Sequence, residues 1–151
     1  MFSTVRYFIK TSIIFLIVGI LTGLYMSINK YYLNAGIQPE LISAHTHIIL
    51  AGSVMMMIMG VALWFFPRAE KSDKKYNPTL ILITYWIMTI ATSLRFLSQV
   101  IYAFTFEDIV GNLVTVFSVF QVAALMLFFY AIWGRIRAVG SQLREAKGEK
   151  F

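Results

Sequence analysis

Two histidines, His45 and His47, are the residues of this 151-residue sequence best suited to bind a metal, because the sequence contains no cysteine. They stand two residues apart, so on an α-helix their side chains point roughly 200° apart. At most one of them can face a given site, unless the other serves a second subunit. A third chemically distinctive residue, Arg95, lies in an apolar stretch further along the chain.

These residue types favour heme over zinc or copper. Zinc needs three or four ligands, and the sequence holds neither a third histidine nor an H-E-x-x-H motif. Copper is the second choice, with His45, His47 and methionines as ligands. Met56 and Met59, however, lie roughly 16 Å and 21 Å from His45 along a helix, so the ligands do not converge. An imidazole in an apolar slot between helices suits b-type heme, and Arg95 would neutralise the propionates. Arg95 alternatively pairs with a lipid phosphate or backbone carbonyls, or extends outward to the membrane surface.

The composition places these residues in a membrane. Hydrophobic residues make up 59% of the sequence and charged residues 13%, against roughly 25% charged in soluble domains. Four apolar stretches, at about 8–28, 41–66, 79–104 and 109–133, have the ~20 residues needed to cross a bilayer. We predict an all-α integral membrane four-helix bundle over residues 1–134, followed by a basic tail over 135–151.

The candidate ligands are predicted to share one depth. His45 and His47 follow the start of the second stretch closely, and Arg95 precedes the end of the third by about nine residues. All three therefore fall in the same half of the membrane, within one to two helical turns of each other. Gly52 and Met56 lie on the His45 face of a regular α-helix, so we place them beside the cofactor. Polar residues inside a membrane are costly and are functional candidates by default.

The distribution of charge predicts the orientation. Eleven of the 13 Lys and Arg residues lie in the N-terminus, the 67–78 loop and the tail, whereas the two opposite loops hold only Lys30. By the positive-inside rule both termini are cytoplasmic, and the chain is a multi-pass protein of the inner (plasma) membrane. The net charge of +6 is thus explained by the orientation of the chain in the membrane. The sequence shows no basic face with aromatic residues on which bases could stack, so it does not indicate nucleic-acid binding. The first stretch lacks a small-residue cleavage site and is interpreted as a span rather than a signal peptide.

The second stretch resembles a known family. The segments Ala44–Gly52 (AHTHIILAG) and Met59–Arg68 (MGVALWFFPR) look like the second helix of subunit I in the heme-copper oxidase superfamily, closest to cbb3-type oxidases and nitric oxide reductases. The resemblance covers about 25 residues, and the chain would be a minimal, four-helix protein of the subunit I type. It implies that His45 is an axial ligand of a low-spin heme b, with His47 where the family often has asparagine.

The same resemblance excludes oxidase activity for a single chain. The family's oxygen-reducing centre needs histidines on later helices, and this sequence has none there. The second axial ligand must be a methionine, water, an open position or a histidine of a second copy, so we expect a homodimer or membership of a larger respiratory complex. The expected function is electron transfer or diatomic gas binding by a redox component that is not a complete oxidase.

Two other functions remain open. The chain is alternatively a cofactor-free accessory or assembly subunit of a respiratory complex, which would contact its partner through the strip Gly19, Gly23, Gly52 and Gly60. It is also interpretable as a small copper-binding or transport protein. Acid–base catalysis in the membrane is the least favoured interpretation, because the apolar stretches hold no Asp or Glu to carry protons.

Overall fold

The computed structural model describes residues 2–66, 78–136 and 147–148. In that part of the chain the structure is helical, without strands. Its α-helices, in chain order, are α1 (Phe2–Tyr31), α2 (Pro39–His47), α3 (Met56–Phe65), α4 (Pro78–Thr105) and α5 (Asp108–Ile132). A π-helix, Ile48–Met55, joins α2 to α3, and a 3-10 turn, Trp133–Arg135, follows α5.

The four predicted spans are confirmed. Helical stretches long and apolar enough to cross a membrane cover Ser3–Tyr31, Pro39–Phe65, Pro78–Thr105 and Asp108–Arg135. The second of these, which we call the second span, comprises α2, the π-helix and α3. The first stretch extends three to five residues beyond its predicted bounds, and the ends of the other three lie within two residues of theirs. Polar residues can continue a helix once its apolar middle has formed.

Prolines and an acidic residue stand at the ends of several helices. Pro39 is the first residue of α2 and Pro78 the first of α4, positions where a missing N–H removes no helical hydrogen bond. Phe66 has an extended backbone with ψ of 144°, the conformation favoured in a residue that precedes proline. Asp108 begins α5, where its negative charge suits the helix dipole.

The first three spans pack together, and α5 lies along α4. The second span contacts both α1 and α4, and α4 makes its most extensive contact with α5. Thr11 of α1 and Tyr85 of α4 share a hydrogen bond of 2.8 Å. The apolar core lies between these helices and includes the fully buried side chains of Phe8, Met56 and Met88.

Glycines on α1 let the second span approach closely. A Cβ on Gly19 would collide with Ile49, and one on Gly23 would lie 2.8 Å from Cε1 of His45. Two small residues four apart commonly allow such close packing between membrane helices. Side chains of this chain also occupy the space beside Gly52 and Gly60. The expectation that the four glycines form a surface for an external partner is therefore wrong.

The π-helix keeps one face of the second span pointing inward. Five residues of the second span, spaced four apart, are buried: Ala44, Ile48, Gly52, Met56 and Gly60. In a regular α-helix a spacing of four advances about 40° per step, so such a row would wind away from the core. The wider turn of the i→i+5 bonded segment cancels this drift.

Exposed aromatic side chains mark both ends of the spans. Trp64 and Trp133 are 69% and 73% exposed and lie where the second and fourth spans end on one side. Tyr31 and Tyr32 are also exposed, at the opposite end of α1. Aromatic residues are enriched at the two membrane interfaces, so their placement agrees with four membrane crossings.

The predicted tail begins later than expected. Arg135 is only 4% exposed, and its Nη2 donates a hydrogen bond of 3.0 Å to the carbonyl oxygen of Phe66. A cation there suits the carboxyl end of α3, so Arg135 belongs to the helical unit and not to a basic tail. Most of the remaining tail, and the 67–77 loop, lie outside the described residues.

Candidate functional site

The two histidines leave the second span on opposite sides, as the two-residue spacing predicts. The Nδ1 of His45 lies 2.9 Å from the carbonyl oxygen of Gly19, across the contact with α1. The Nδ1 of His47 lies 2.8 Å from the carbonyl oxygen of Ser43, one turn earlier in its own helix. Both rings are half-buried, and in each the Nδ1 atom lies against a backbone carbonyl.

These contacts assign the same tautomer to both neutral rings. A carbonyl oxygen only accepts hydrogen bonds, so Nδ1 carries the proton in His45 and in His47. The Nε2 atom then keeps its lone pair, and in the described part of the chain it has no hydrogen-bond partner in either ring. Metal-binding histidines are commonly oriented by such a bond from the other ring nitrogen.

Arg95 is anchored by an amide on α5. Its Nη1 donates a hydrogen bond of 2.7 Å to Oε1 of Gln121, and Nε2 of Gln121 donates one of 2.8 Å to the hydroxyl of Thr92. Gln121 is 3% exposed. The Nε of Arg95 is buried without a hydrogen-bond partner, so part of the guanidinium is unsatisfied.

A second amide links α4 to the histidine segment. Nε2 of Gln99 donates a hydrogen bond of 2.9 Å to the hydroxyl of Ser43, whose oxygen also lies 3.4 Å from Nδ1 of His47. Gln99 is 2% exposed, and its Oε1 is buried without a partner. Three spans thus contribute to one set of polar side chains, here called the polar layer: Ser43, His47, Thr92, Arg95, Gln99 and Gln121.

The polar layer surrounds a small cavity. It is too small to admit a water molecule and is lined by His47, Arg95, Gln99 and Gln121 among others. The sequence predicts His45 beside Arg95, because the two share a depth. The structure brings His47 to Arg95 instead, because His45 points to α1.

The other two predicted cofactor contacts lie elsewhere. A Cβ on Gly52 would lie 2.9 Å from both Phe15 and Thr92, so these side chains already occupy the space beside Gly52. Met56 is fully buried in the apolar core. Their expected position on the His45 face is wrong, because the π-helix between His47 and Met56 changes the rotation per residue.

The positive charge of Arg95 has no acidic partner in the described structure. Within the described spans the acidic residues are Glu40 and Asp108, and each stands in the first turn of its helix. A charge held in hydrocarbon without a counter-ion is costly. Arg95 is half-buried, and arginine side chains in a membrane can also extend along apolar surface towards the interface.

A separate groove between α4 and α5 is entirely apolar. It encloses about 340 Å³ and is lined by Ile, Ala and aromatic side chains that include Trp86 and Phe120. None of these side chains can ligate a metal. No group of three His, Asp or Glu residues that could hold a metal ion occurs among the described residues.

Sequence reasoning identified the costly groups of the polar layer but missed two of its members. Gln99 and Gln121 are recognisable as polar residues inside apolar stretches. Ser43 and Thr92 are not distinctive, because serine and threonine commonly bond to the backbone of their own helix. Their only signal is spacing: Ser43 precedes His47 by four residues, and Thr92 precedes Arg95 by three, which places each pair on one helix face.

Comparison with known proteins assigns neither a family nor a function to this chain. No protein-family model, curated protein or solved structure matches this chain. The structure itself defines a helical protein with four candidate membrane spans and a buried polar layer joining three of them.

Proposed function

We propose that the chain is a membrane-embedded b-type heme protein that transfers electrons or binds a diatomic gas, in or beside a respiratory chain. The observation that carries the proposal is the state of the two imidazoles. Each has its Nδ1 fixed by a backbone carbonyl and its Nε2 free, which is the arrangement of an iron ligand. The resemblance to oxidase subunit I favours His45 as the ligand, and the shared cavity with Arg95 favours His47.

The charge of the site supports the same ligand. Heme brings two carboxylates, and Arg95 offers an unpaired Nε–H in a region without acidic side chains. A guanidinium recognises a carboxylate through parallel hydrogen bonds. When bound, heme would supply an iron that changes oxidation state or holds a gas molecule; the chain's own residues would orient it and balance its charge.

The donor atoms fit heme, but the enclosed space is too small in this packing. The cavity does not admit even a water molecule, whereas cofactor pockets begin at about 300 Å³. Binding between the helices therefore requires the second span and α4 to separate. Binding at an edge of the helices would instead complete the ligand set from a second copy, in agreement with the expected homodimer.

The proposal is tested by absorption spectra of protein expressed with heme available. We expect a Soret band in the wild-type chain and its loss or shift in His47→Ala, in His45→Ala, or in both. Thr46→Ala is the matched control, because Thr46 lies between the histidines and its hydroxyl bonds only to the carbonyl oxygen of Ile42. A well-folded wild-type protein without heme ends the proposal, and a variant with an unchanged band excludes that histidine as ligand.

A cofactor-free accessory subunit is the second candidate, favoured by the exposure of α5. Only 17% of the most apolar window of the fourth span is buried, the lowest share of the four. A face of this kind contacts either lipid or another membrane protein. This function predicts a colourless protein that co-purifies with a larger respiratory complex.

Copper binding is less well supported than heme. The histidine side chains diverge, and Met56 is enclosed in the apolar core rather than directed at either ring. Elemental analysis of purified protein decides this case. Bound copper that is lost in Met56→Leu would favour it over heme.

A further inference from the structure

We infer that two copies of this chain associate in the membrane through one face of α5, with the Asn112 side chains of the two copies hydrogen-bonded to each other. We call this surface the outer face of α5. It consists of five exposed residues: Asn112, Val116, Val119, Ala123 and Met126. The inference goes beyond the proposed function, because none of these residues belongs to the polar layer or requires heme.

The chain itself leaves this face uncovered. α5 makes its most extensive contact with α4, and its buried residues include Gln121 and Phe128. Residues spaced alternately four and three apart stay on one side of a helix, so the row from Asn112 to Met126 lies opposite to Gln121. Val119 and Met126 are 64% and 66% exposed. In the membrane this face is therefore in contact either with lipid or with another helix.

Asn112 is the polar residue of the face. Its side chain is exposed and has no hydrogen-bond partner in the part of the chain that the structure describes. It lies about one helical turn, roughly 6 Å, inside the span that begins at Asp108. A polar side chain directed at lipid is costly, and asparagine commonly joins membrane helices by hydrogen bonds between them. A partner helix at this face should therefore offer a donor and an acceptor at the depth of Asn112.

A second copy of the chain supplies this complement. Two copies inserted with the same orientation have parallel α5 helices, and a twofold axis along the membrane normal places identical residues opposite each other. A carboxamide holds both a donor and an acceptor, so two Asn112 side chains satisfy each other. The five residues carry no charge, and Asp108, one turn earlier, lies at the end of the span where water screens its charge.

The apolar residues of the face suit a pair of parallel helices. Alternate spacings of four and three residues form the contact line of a left-handed helix pair. Val116, Val119 and Ala123 have short side chains, which let two helices approach closely. A single asparagine in such a contact line fixes the register and the number of helices, so Asn112 favours one symmetric pair over other arrangements.

The first experiment maps the contact in vesicles at a low ratio of purified protein to lipid. Because the chain has no cysteine, mild oxidation of Val119→Cys should give a disulfide-linked species of twice the chain mass. Leu21→Cys is the matched control, since Leu21 is 58% exposed and lies at a similar depth on α1. It should stay mostly monomeric. Equal yields for the two variants, or no linked species in Val119→Cys, overturn the inference.

The second experiment tests the asparagine pair through the dissociation constant of the dimer, measured by energy transfer between labelled copies in vesicles. Asn112→Leu should weaken dimerisation about three- to tenfold, the range of hydrogen bonds between membrane helices. Asn112→Leu combined with Leu113→Asn keeps the composition but moves the amide about 100° around the helix, and should weaken it equally. Circular dichroism checks that both variants are folded. A folded Asn112→Leu variant with an unchanged dissociation constant overturns the pairing of Asn112.

This inference and the proposed function fail in different ways. A chain that dimerises through Val119 without binding heme ends the proposed function and supports the inference. A heme-binding chain that stays monomeric in vesicles overturns the inference and leaves the heme proposal standing. A chain whose Val119→Cys variant links in cell membranes to a different protein, and not to a second copy, also overturns the inference and favours the accessory subunit.

Discussion

At the scale of single residues, a few polar side chains join the helices of this apolar chain through hydrogen bonds. His45 is an example, because its ring lies over Gly23 and donates to the carbonyl oxygen of Gly19. The absence of a side chain on two residues of α1 therefore gives the imidazole both its space and its partner. The ring thus joins α1 to the second span, whether or not it also binds iron.

This contact predicts the effect of Gly23→Ala. The added Cβ would lie 2.8 Å from Cε1 of His45 and should push the ring off the Gly19 carbonyl, which costs about 1–3 kcal/mol by overpacking. Thermal unfolding in detergent measures the loss. If His45 binds heme, the Soret band should shift as well. Gly36→Ala is the control, because nothing lies within 4 Å of its added Cβ, and equal melting temperatures of the two variants would contradict the prediction.

At the scale of elements, the π-helix of the second span is the feature that orients the site. It begins directly after His47 and ends before the buried Met56. Its wider turns set the rotation of α2 relative to α3. As a result, His45 faces α1 and His47 faces the polar layer, while Met56 of α3 lies in the apolar core. Such segments are often found at functional sites.

Deleting one residue from this segment tests its role. Removal of Leu50, which is 56% exposed, should restore α-helical bonding, because the wide turns then have no extra residue to accommodate. The rotation of α2 relative to α3 should be nearly kept, while α2 shifts along the helix axis by about one residue's rise, ~1.5 Å. Because the same face stays buried and only the axial fit changes, we expect a destabilisation of about 1–3 kcal/mol.

The matched control keeps the length of the segment. Leu50→Ala removes an exposed side chain only, and should change the free energy of unfolding by about 0.5 kcal/mol at most. Urea or thermal unfolding monitored by circular dichroism compares the two variants. A deletion variant destabilised by about 5 kcal/mol or more would contradict the expectation that the π-helix accommodates one extra residue while keeping the rotation of α2.

At the scale of the whole molecule, four spans predict that both termini lie on the same side of the membrane. The excess of Lys and Arg near the termini and in the 67–78 loop makes that side cytoplasmic. This orientation stays a prediction from the sequence, because the helices alone do not distinguish the two sides.

The absence of cysteine makes the orientation directly measurable. In intact cells, a membrane-impermeant maleimide should label Gly36→Cys, in the loop between α1 and α2. Lys147→Cys, in the tail, should react only after the cells are permeabilised. The unmodified chain is the control and should give no label. The opposite pattern would reverse the orientation and place the polar layer in the cytoplasmic half of the membrane.

The sequence by itself determines the number of spans, their approximate ends and the short set of residues able to do chemistry. These follow from local properties: an apolar stretch of sufficient length must become a helix to satisfy its backbone in lipid, and proline ends or begins a helix through its own geometry. The opposite directions of His45 and His47 also follow from the sequence, because a separation of two residues fixes the angle between their side chains around the helix axis.

Only the tertiary structure decides which of these residues meet. Shared depth suggests His45 as the partner of Arg95, but depth gives no rotation about the helix axis, and the second span is too uniformly apolar to indicate its inward face. The π-helix further changes the rotation that regular α-helical geometry assigns to Gly52 and Met56. The meeting of His47, Arg95, Gln99 and Gln121 depends on contacts among three separate spans, and such contacts are set by packing rather than by any local pattern.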